Sequence, residues 1–278
     1  MNKDIKLVAL DLDRTTLNSE SHLSEVNRQA LIDAISNGVH VCIASGRAFD
    51  TLPEDIISVP GIEYAITSNG AAIYRIAGKE CLKSYLLTPS SVKTILNLTA
   101  NDTVTYEAFI KGQAFASTEY IRHPEKYGAT EHSLAYVRKT RILKDDIVSF
   151  ILEHCHELDS LDIVVGNEEL KKNIMDRIRN ATDEVYMTSS ISQLLEISYK
   201  DAGKKSGVKF LTEYLGLSRE NVAAFGDADN DTDMIEYAGT GIAMENAAPH
   251  LKQIADHITL HHDKDGVAYA FRNILNIC

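Results

Sequence analysis

Three short apolar runs, each cut off by an acidic or hydroxyl residue, restrict what this chain can fold into. Residues 6–10 (Lys-Leu-Val-Ala-Leu) stop at Asp11, residues 39–44 stop at Ser45-Gly46-Arg47, and residues 221–225 stop at Gly226-Asp-Ala-Asp-Asn-Asp231. Runs of this length read as buried strands. Between the first two, Ser24 is placed to cap a helix whose apolar positions Val26, Ala30, Leu31, Ala34 and Ile35 recur at helical spacing, and Gly38 ends it. Strand, helix and strand in that order make a βαβ unit, which demands a parallel sheet with right-handed crossovers. The grammar returns late in the chain, with a strand at 193–198, a helix at 204–215, the strand at 221–225, a helix around Met234 and a strand at 240–244. Ligands of open α/β sheets bind beyond the carboxyl ends of the strands, so the polar strand ends predict one site built from distant segments.

The middle follows a different rule. Residues 103–109 and 112–117 read as a hairpin, then helices at 143–158 and 168–180 flank a strand at 161–165. The expected fold is therefore α/β: a doubly wound, Rossmann-like parallel-sheet core formed by residues 1–83 and 191–278, interrupted by an inserted α+β domain at 84–190.

Composition removes whole classes of function. Among 278 residues, 28 Lys+Arg face 40 Asp+Glu, for a net charge of −12. Binding a polyanionic backbone needs clustered cations, so nucleic acid is not the expected partner. No stretch approaches the ~20 apolar residues of a membrane span, and the polar start at 1–6 does not read as a signal segment, which predicts a cytoplasmic protein without a membrane partner. Cys42, Cys81, Cys155 and Cys278 are scattered without metal-site spacing. His154-Cys155-His156 would point its side chains about 100° apart on a helix, away from a common ion.

The chemistry concentrates at the strand ends. Asp11 and Asp13 stand two apart where the backbone leaves the first strand, so one could act as nucleophile while the other moves a proton. Asp227, Asp229, Asp231 and Asp233 repel one another unless a cation sits among them. A calcium hand needs Gly at the sixth loop position and Glu at the twelfth. Counted from Asp227 those positions hold Thr232 and Ala238, and counted from Asp229 they hold Met234 and Thr240. Carboxylate ligands that few suit Mg²⁺ completed by water and phosphate. Ser45, Gly46 and Arg47 offer a hydroxyl, a flexible backbone and a cation to a phosphoryl group. Lys204-Lys205 opens a helix, where the macrodipole disfavours cations, unless one of them bridges to anions of the site. Asn69-Gly70 is both a turn signal and a polar strand end.

Together these residues resemble the haloacid-dehalogenase-like phosphohydrolases, and most of all the Cof-type small-metabolite phosphatases with an inserted type IIB cap. Asp11-Leu12-Asp13 with Thr15 resembles the first family motif, Ser45-Gly46-Arg47 the second, Lys204 the third and Gly226-Asp227…Asn230-Asp231 the fourth. Residues 67–71 (Thr-Ser-Asn-Gly-Ala), 241–247 and 263–267 are similar as well. The likeness runs from Leu7 to Phe271 and covers the insert only weakly. Arg14 and Thr16 depart from the family's usual Gly and Leu. If position 14 needs a left-handed backbone, Arg costs ~1–2 kcal/mol there; otherwise its guanidinium reaches a carboxylate or phosphate.

The resemblance implies a Mg²⁺-dependent phosphomonoesterase that works through an aspartyl-phosphate on small phosphorylated metabolites. Asp11 would be the nucleophile and Asp13 the general acid and base. Mg²⁺ would be held by Asp11, the Asp13 carbonyl and Asp227, with Asp231 acting through water. Ser45 and Lys204, or its neighbour Lys205, would hold the phosphoryl group, and Asn230 would help to orient the site. Sugar phosphates are the first expectation, cofactor phosphates such as pyridoxal phosphate or flavin mononucleotide the second, with specificity in the insert. A phospho-acceptor signalling protein and an inactive metabolite-binding relative are the alternatives.

Overall fold

The computed structural model describes residues 4–128 and 131–278, with the side chains of 131–133 left out. In chain order, the first five strands are β1 (Leu7–Leu10), β2 (His40–Ala44), β3 (Tyr64–Thr67), β4 (Ala72–Arg75) and β5 (Glu80–Ser84). Six follow in the middle: β6 (Val104–Ile110), β7 (Gln113–Ser117), β8 (Ile142–Lys144), β9 (Leu158–Val165), β10 (Val185–Thr188) and β11 (Leu194–Tyr199). The last three are β12 (Val222–Gly226), β13 (Thr240–Ala243) and β14 (His257–Ile258). They form two sheets in two compact units. One unit comprises 1–47, 52–83 and 203–278, the other 48–51 and 84–202.

The sheet of the first unit runs β14-β13-β12-β1-β2-β3-β4-β5. All neighbours from β14 to β3 are parallel, and β3 and β4 are antiparallel. Every residue of β1 is fully buried, which is why it reads as an unbroken apolar run rather than an alternating one. Helix Glu25–Ser36 packs against Gly266–Ala270, while Lys204–Tyr214 packs against Thr232–Tyr237. Ser24 caps the first of these by accepting from the Asn27 N–H, and Ala30, Leu31 and Ala34 form its buried stripe. Val26, expected in that stripe, is exposed. Chain order moves outward from β1 in both directions, through β2 and β3 on one side and β12 and β13 on the other. The switch point is thus the crevice at the ends of β1 and β12, where a ligand is expected.

The second sheet, β10-β11-β9-β6-β7-β8, is antiparallel except for the parallel β7–β8 pair. Helices Pro89–Thr99, Ile147–Glu153 and Glu168–Ala181 share one apolar core with it, built on Ile95, Tyr106, Leu161, Ile163, Ile174, Ile178, Leu195 and Ile197. Two expectations fail here. The strand near 193–198 is β11 of this sheet, not a core strand, and it pairs antiparallel with β9. The second unit accordingly extends to Ala202. An alternating strand carries no local mark of the sheet it joins. The helix expected over 143–158 is shorter, Ile147–Glu153, because Asp146 caps it by accepting from the Ser149 N–H and residues 142–144 form β8.

Candidate active site

Strand register brings the first and fourth motifs side by side. Leu10 pairs with Phe225, and the Asp11 N–H donates to the Phe225 carbonyl at 3.1 Å, so both chains leave the sheet together. Beyond β12 the backbone doubles back tightly. The two free N–H groups of Asp227 and Ala228 donate to Asp231 Oδ2 at 2.9 and 3.0 Å. Gly226 is required at this turn, since a Cβ there would lie 2.4 Å from the Asp231 side chain.

Lys204 closes the group. Its side chain is fully buried, and Nζ donates to Asp11 Oδ1 at 2.7 Å and to Asp231 Oδ1 at 2.6 Å. Lys205 is exposed, so geometry selects between the two lysines that helix phase left equal. The cation at a helix start is explained by the two anions it meets. Burial opposes the lysine's charge, yet Asp11 and Asp231 together raise its pKa above the ordinary value. Asp233 lies at the same helix end. Burial pushes its carboxyl up to about 6, although it draws on the Lys205 backbone N–H.

Asp11, Asp227 and Asp231 each bring a carboxylate oxygen within 4.8 Å of the others. Burial, then repulsion from Asp231, lifts the Asp11 carboxyl well above its usual range despite Lys204. Asp227 is pushed up to about 7 for the same two reasons. Three buried carboxylates against one buried ammonium leave an excess of negative charge. An oxygen-only set of this kind fits a hard divalent cation, whose charge would balance it.

Asp13 projects outward, half exposed, and is gripped by Arg47, whose Nε and Nη2 donate to its two oxygens at 2.9 and 2.6 Å. Arg47, expected on a phosphoryl group, thus lies against the partner carboxylate of the first motif. Ser45 is buried at the end of β2, where its Oγ accepts from the Arg47 N–H at 3.2 Å and its carbonyl from the Asn69 N–H, with Gly46 completing the loop. Asn69 adopts a left-handed conformation, and its Oδ1 accepts from Asn230 Nδ2 at 3.0 Å, linking the loop after β3 to the fourth motif. The other amide atom of Asn230, Oδ1, is buried without a hydrogen-bond partner.

Other residues of the marked segments make contacts that the sequence could not show. Thr16 Oγ1 donates to the Asp11 carbonyl at 2.6 Å, and Thr15 Oγ1 to Asp227 Oδ1 at 3.4 Å. Asn246, just after β13, donates from Nδ2 to the Arg14 carbonyl at 2.8 Å and lies 3.5 Å from Asp227 Oδ2. Its segment, 241–247, resembles the family's, yet no role for Asn246 could be read from it. Arg14 itself is left-handed (φ 61°), with Nε 3.8 Å from Asp227 Oδ2. Both readings of this position hold at once.

The family model for haloacid dehalogenase-like hydrolases matches residues 8–271. The chain belongs to this family. The hydrolase is similar to phosphatase YwpJ of Bacillus subtilis (strain 168), with 31% identity covering 98% of this chain and all of the relative. It is also similar to 5-amino-6-(5-phospho-D-ribitylamino)uracil phosphatase YcsE of the same organism, with 28% identity over 97% of this chain and 96% of the relative. A solved haloacid dehalogenase-like hydrolase from B. subtilis superposes with a TM-score of 0.83 and 27% identity, covering 98% of this chain and 100% of that one. The hydrolase is an enzyme of the phosphatase class.

Proposed function

We propose that this hydrolase is a Mg²⁺-dependent phosphomonoesterase that cleaves small phosphorylated metabolites through an aspartyl-phosphate on Asp11. One observation carries the reading: the Asp11 carboxylate is held by Lys204 among Asp227 and Asp231, and a second carboxylate, Asp13, is clamped two residues away. Mg²⁺, held by Asp11, the Asp13 carbonyl and Asp227, with Asp231 nearby, would supply the positive charge that lets an anionic nucleophile approach an anionic phosphate. In the first step an Asp11 oxygen bonds to phosphorus while the ester oxygen departs, taking a proton from the Asp13 carboxyl. In the second, Asp13 removes a proton from water, the water oxygen bonds to phosphorus, and the Asp11 carboxylate is released with inorganic phosphate. Lys204 stays charged throughout and steadies Asp11 and the transferring group, an electrostatic role that a buried, preorganised ammonium performs well. Ser45 and its loop, tied to Asn69 and through it to Asn230, line the same strand ends.

Sugar and polyol phosphates are the proposed substrates, with cofactor phosphates second. The phosphatase activity on a phosphoribityl compound named for a relative of this length supports that order. A panel of phosphorylated metabolites assayed with Mg²⁺, together with acid trapping of ³²P-labelled enzyme, tests the proposal. Turnover with a hydroxylamine-sensitive label on Asp11 is expected. Stoichiometric labelling without turnover would mark a phospho-acceptor instead, and metabolite binding without either would mark an inactive relative.

A further inference from the structure

Arg14 combines two features that ordinary surface arginines lack. Its backbone is left-handed, at φ 61° and ψ 15°, a conformation unfavourable for a residue with a Cβ. Such an outlier persists only where its surroundings hold it in place. Here the Asn246 amide binds the Arg14 carbonyl at 2.8 Å, and the same Nδ2 lies 3.5 Å from Asp227 Oδ2. The second feature is the direction of the side chain. Its Nε is 3.8 Å from that same Asp227 oxygen, while 65% of the side chain remains in solvent. Thr15 occupies the other oxygen of Asp227, at 3.4 Å. Arg14 is thus a cation anchored at the mouth of the carboxylate group, against a single oxygen of one of its members.

Resting on the metal assignment above, we propose that Arg14 is a resident counter-charge that competes with the divalent cation for Asp227 and so weakens its binding. No covalent step is involved; an ion pair is exchanged for a coordinate bond, with the guanidinium displaced toward solvent. The exposed pair is itself weak, so the cation still enters. Its repulsion of a second cation a few ångströms away is partly screened by water and salt, which limits the effect to about three- to tenfold in affinity.

The test is direct titration of the full-length, chelator-treated protein with Mn²⁺, followed by electron paramagnetic resonance or calorimetry, without substrate. Arg14→Gln keeps the side-chain bulk and the strained backbone but removes the charge. Arg14→Gly removes both, and Arg14→Lys keeps the charge. Gln and Gly variants should each bind Mn²⁺ about three- to tenfold more tightly, Lys should resemble the parent, and the gain should shrink as ionic strength rises. Unchanged or weaker binding in Arg14→Gln, or tightening in Gly alone, would overturn the proposal, the latter by showing that strain and not charge acts. If Asp227→Asn binds Mn²⁺ as well as the parent does, the metal assignment falls first.

Discussion

Each unit of the protein contains a group of three buried carboxylates beside one cation, and the two groups differ in kind. In the first unit Asp11, Asp227 and Asp231 surround Lys204 just beyond the strand ends. In the second, Glu107, Asp162 and Glu196 lie directly opposite one another across β6, β9 and β11, each almost fully buried, with Arg141 Nε donating to Glu107 at 2.6 Å. The Arg141 guanidinium also sits 5.0 Å from the Tyr136 ring and 5.3 Å from the Phe109 ring. Strand-end residues have free backbone N–H groups to offer, and Asp231 takes two of them, so its carboxylate is fixed by the chain itself. Mid-strand residues have spent their N–H groups on the ladder, and their side chains must satisfy one another. Only the first group, of these two, brings its oxygens within the reach of one ion. Both groups keep protons above the usual carboxyl range: burial, then Glu196 and Glu107, raise the Asp162 carboxyl, as burial and Asp231 raise Asp11 and Asp227. Equal residue counts therefore leave one group compact enough for a single ion and spread the other along a sheet.

The largest expected effect would break the comparison outright. Asp11→Asn should show no measurable turnover on any phosphate ester, because no phosphoenzyme forms. Residual turnover in a phosphate-release assay would remove Asp11 from the nucleophile's role. Next, Asp13→Asn should lose about 10²–10⁴-fold on alkyl phosphates, the usual worth of general acid–base catalysis. With an activated aryl phosphate its first step should survive, so labelled enzyme should accumulate. Equal rates on both ester types would dismiss the acid–base assignment.

The third prediction concerns the other group. Arg141→Met leaves Glu107 buried without its cation, which typically costs about 3–5 kcal/mol. Denaturant titration at neutral pH should show that loss, and a change below ~1 kcal/mol would mean that the row tolerates an unpaired charge.

Smallest, and sharpest as a comparison, is the dependence of stability on pH. Asp227 and Asp162 both hold protons to higher pH when folded than when unfolded, so the native state binds more protons between the two values. Stability contributed by this difference is present at low pH and declines as pH rises from the ordinary carboxyl range, ~4, toward the folded value, about 7 for Asp227. Thermal melts of chelated protein should fall across that window. Added Mg²⁺ should flatten the part due to Asp227 and leave the part due to Asp162. Asp162→Asn should do the reverse, raising Tm at pH 7 by about 2–4 °C, the shift that ~1 kcal/mol produces at this size. Parallel melting curves for parent and variant in both conditions would deny any difference between the groups.

Much of this molecule is written in local pattern. The apolar runs that end at Asp11, Ser45 and Asp227 determined a parallel sheet and the end of it where chemistry gathers, because strand length, helical period and capping residues act over a few neighbours. The inner pair Asp11 and Asp13, the acidic loop and the lysine at an improbable helix start were legible for the same reason. Partners across long separations were not. Register alone brings Asp11 beside Phe225, and the tertiary fold turned Lys204 rather than Lys205 inward, gave Arg47 to Asp13, and sent β11 into the second sheet. Nor could composition separate one acidic group from the other. Whether three carboxylates converge on an ion or line up along a sheet depends on which backbone N–H groups remain free beside them, and only the paired strands decide that.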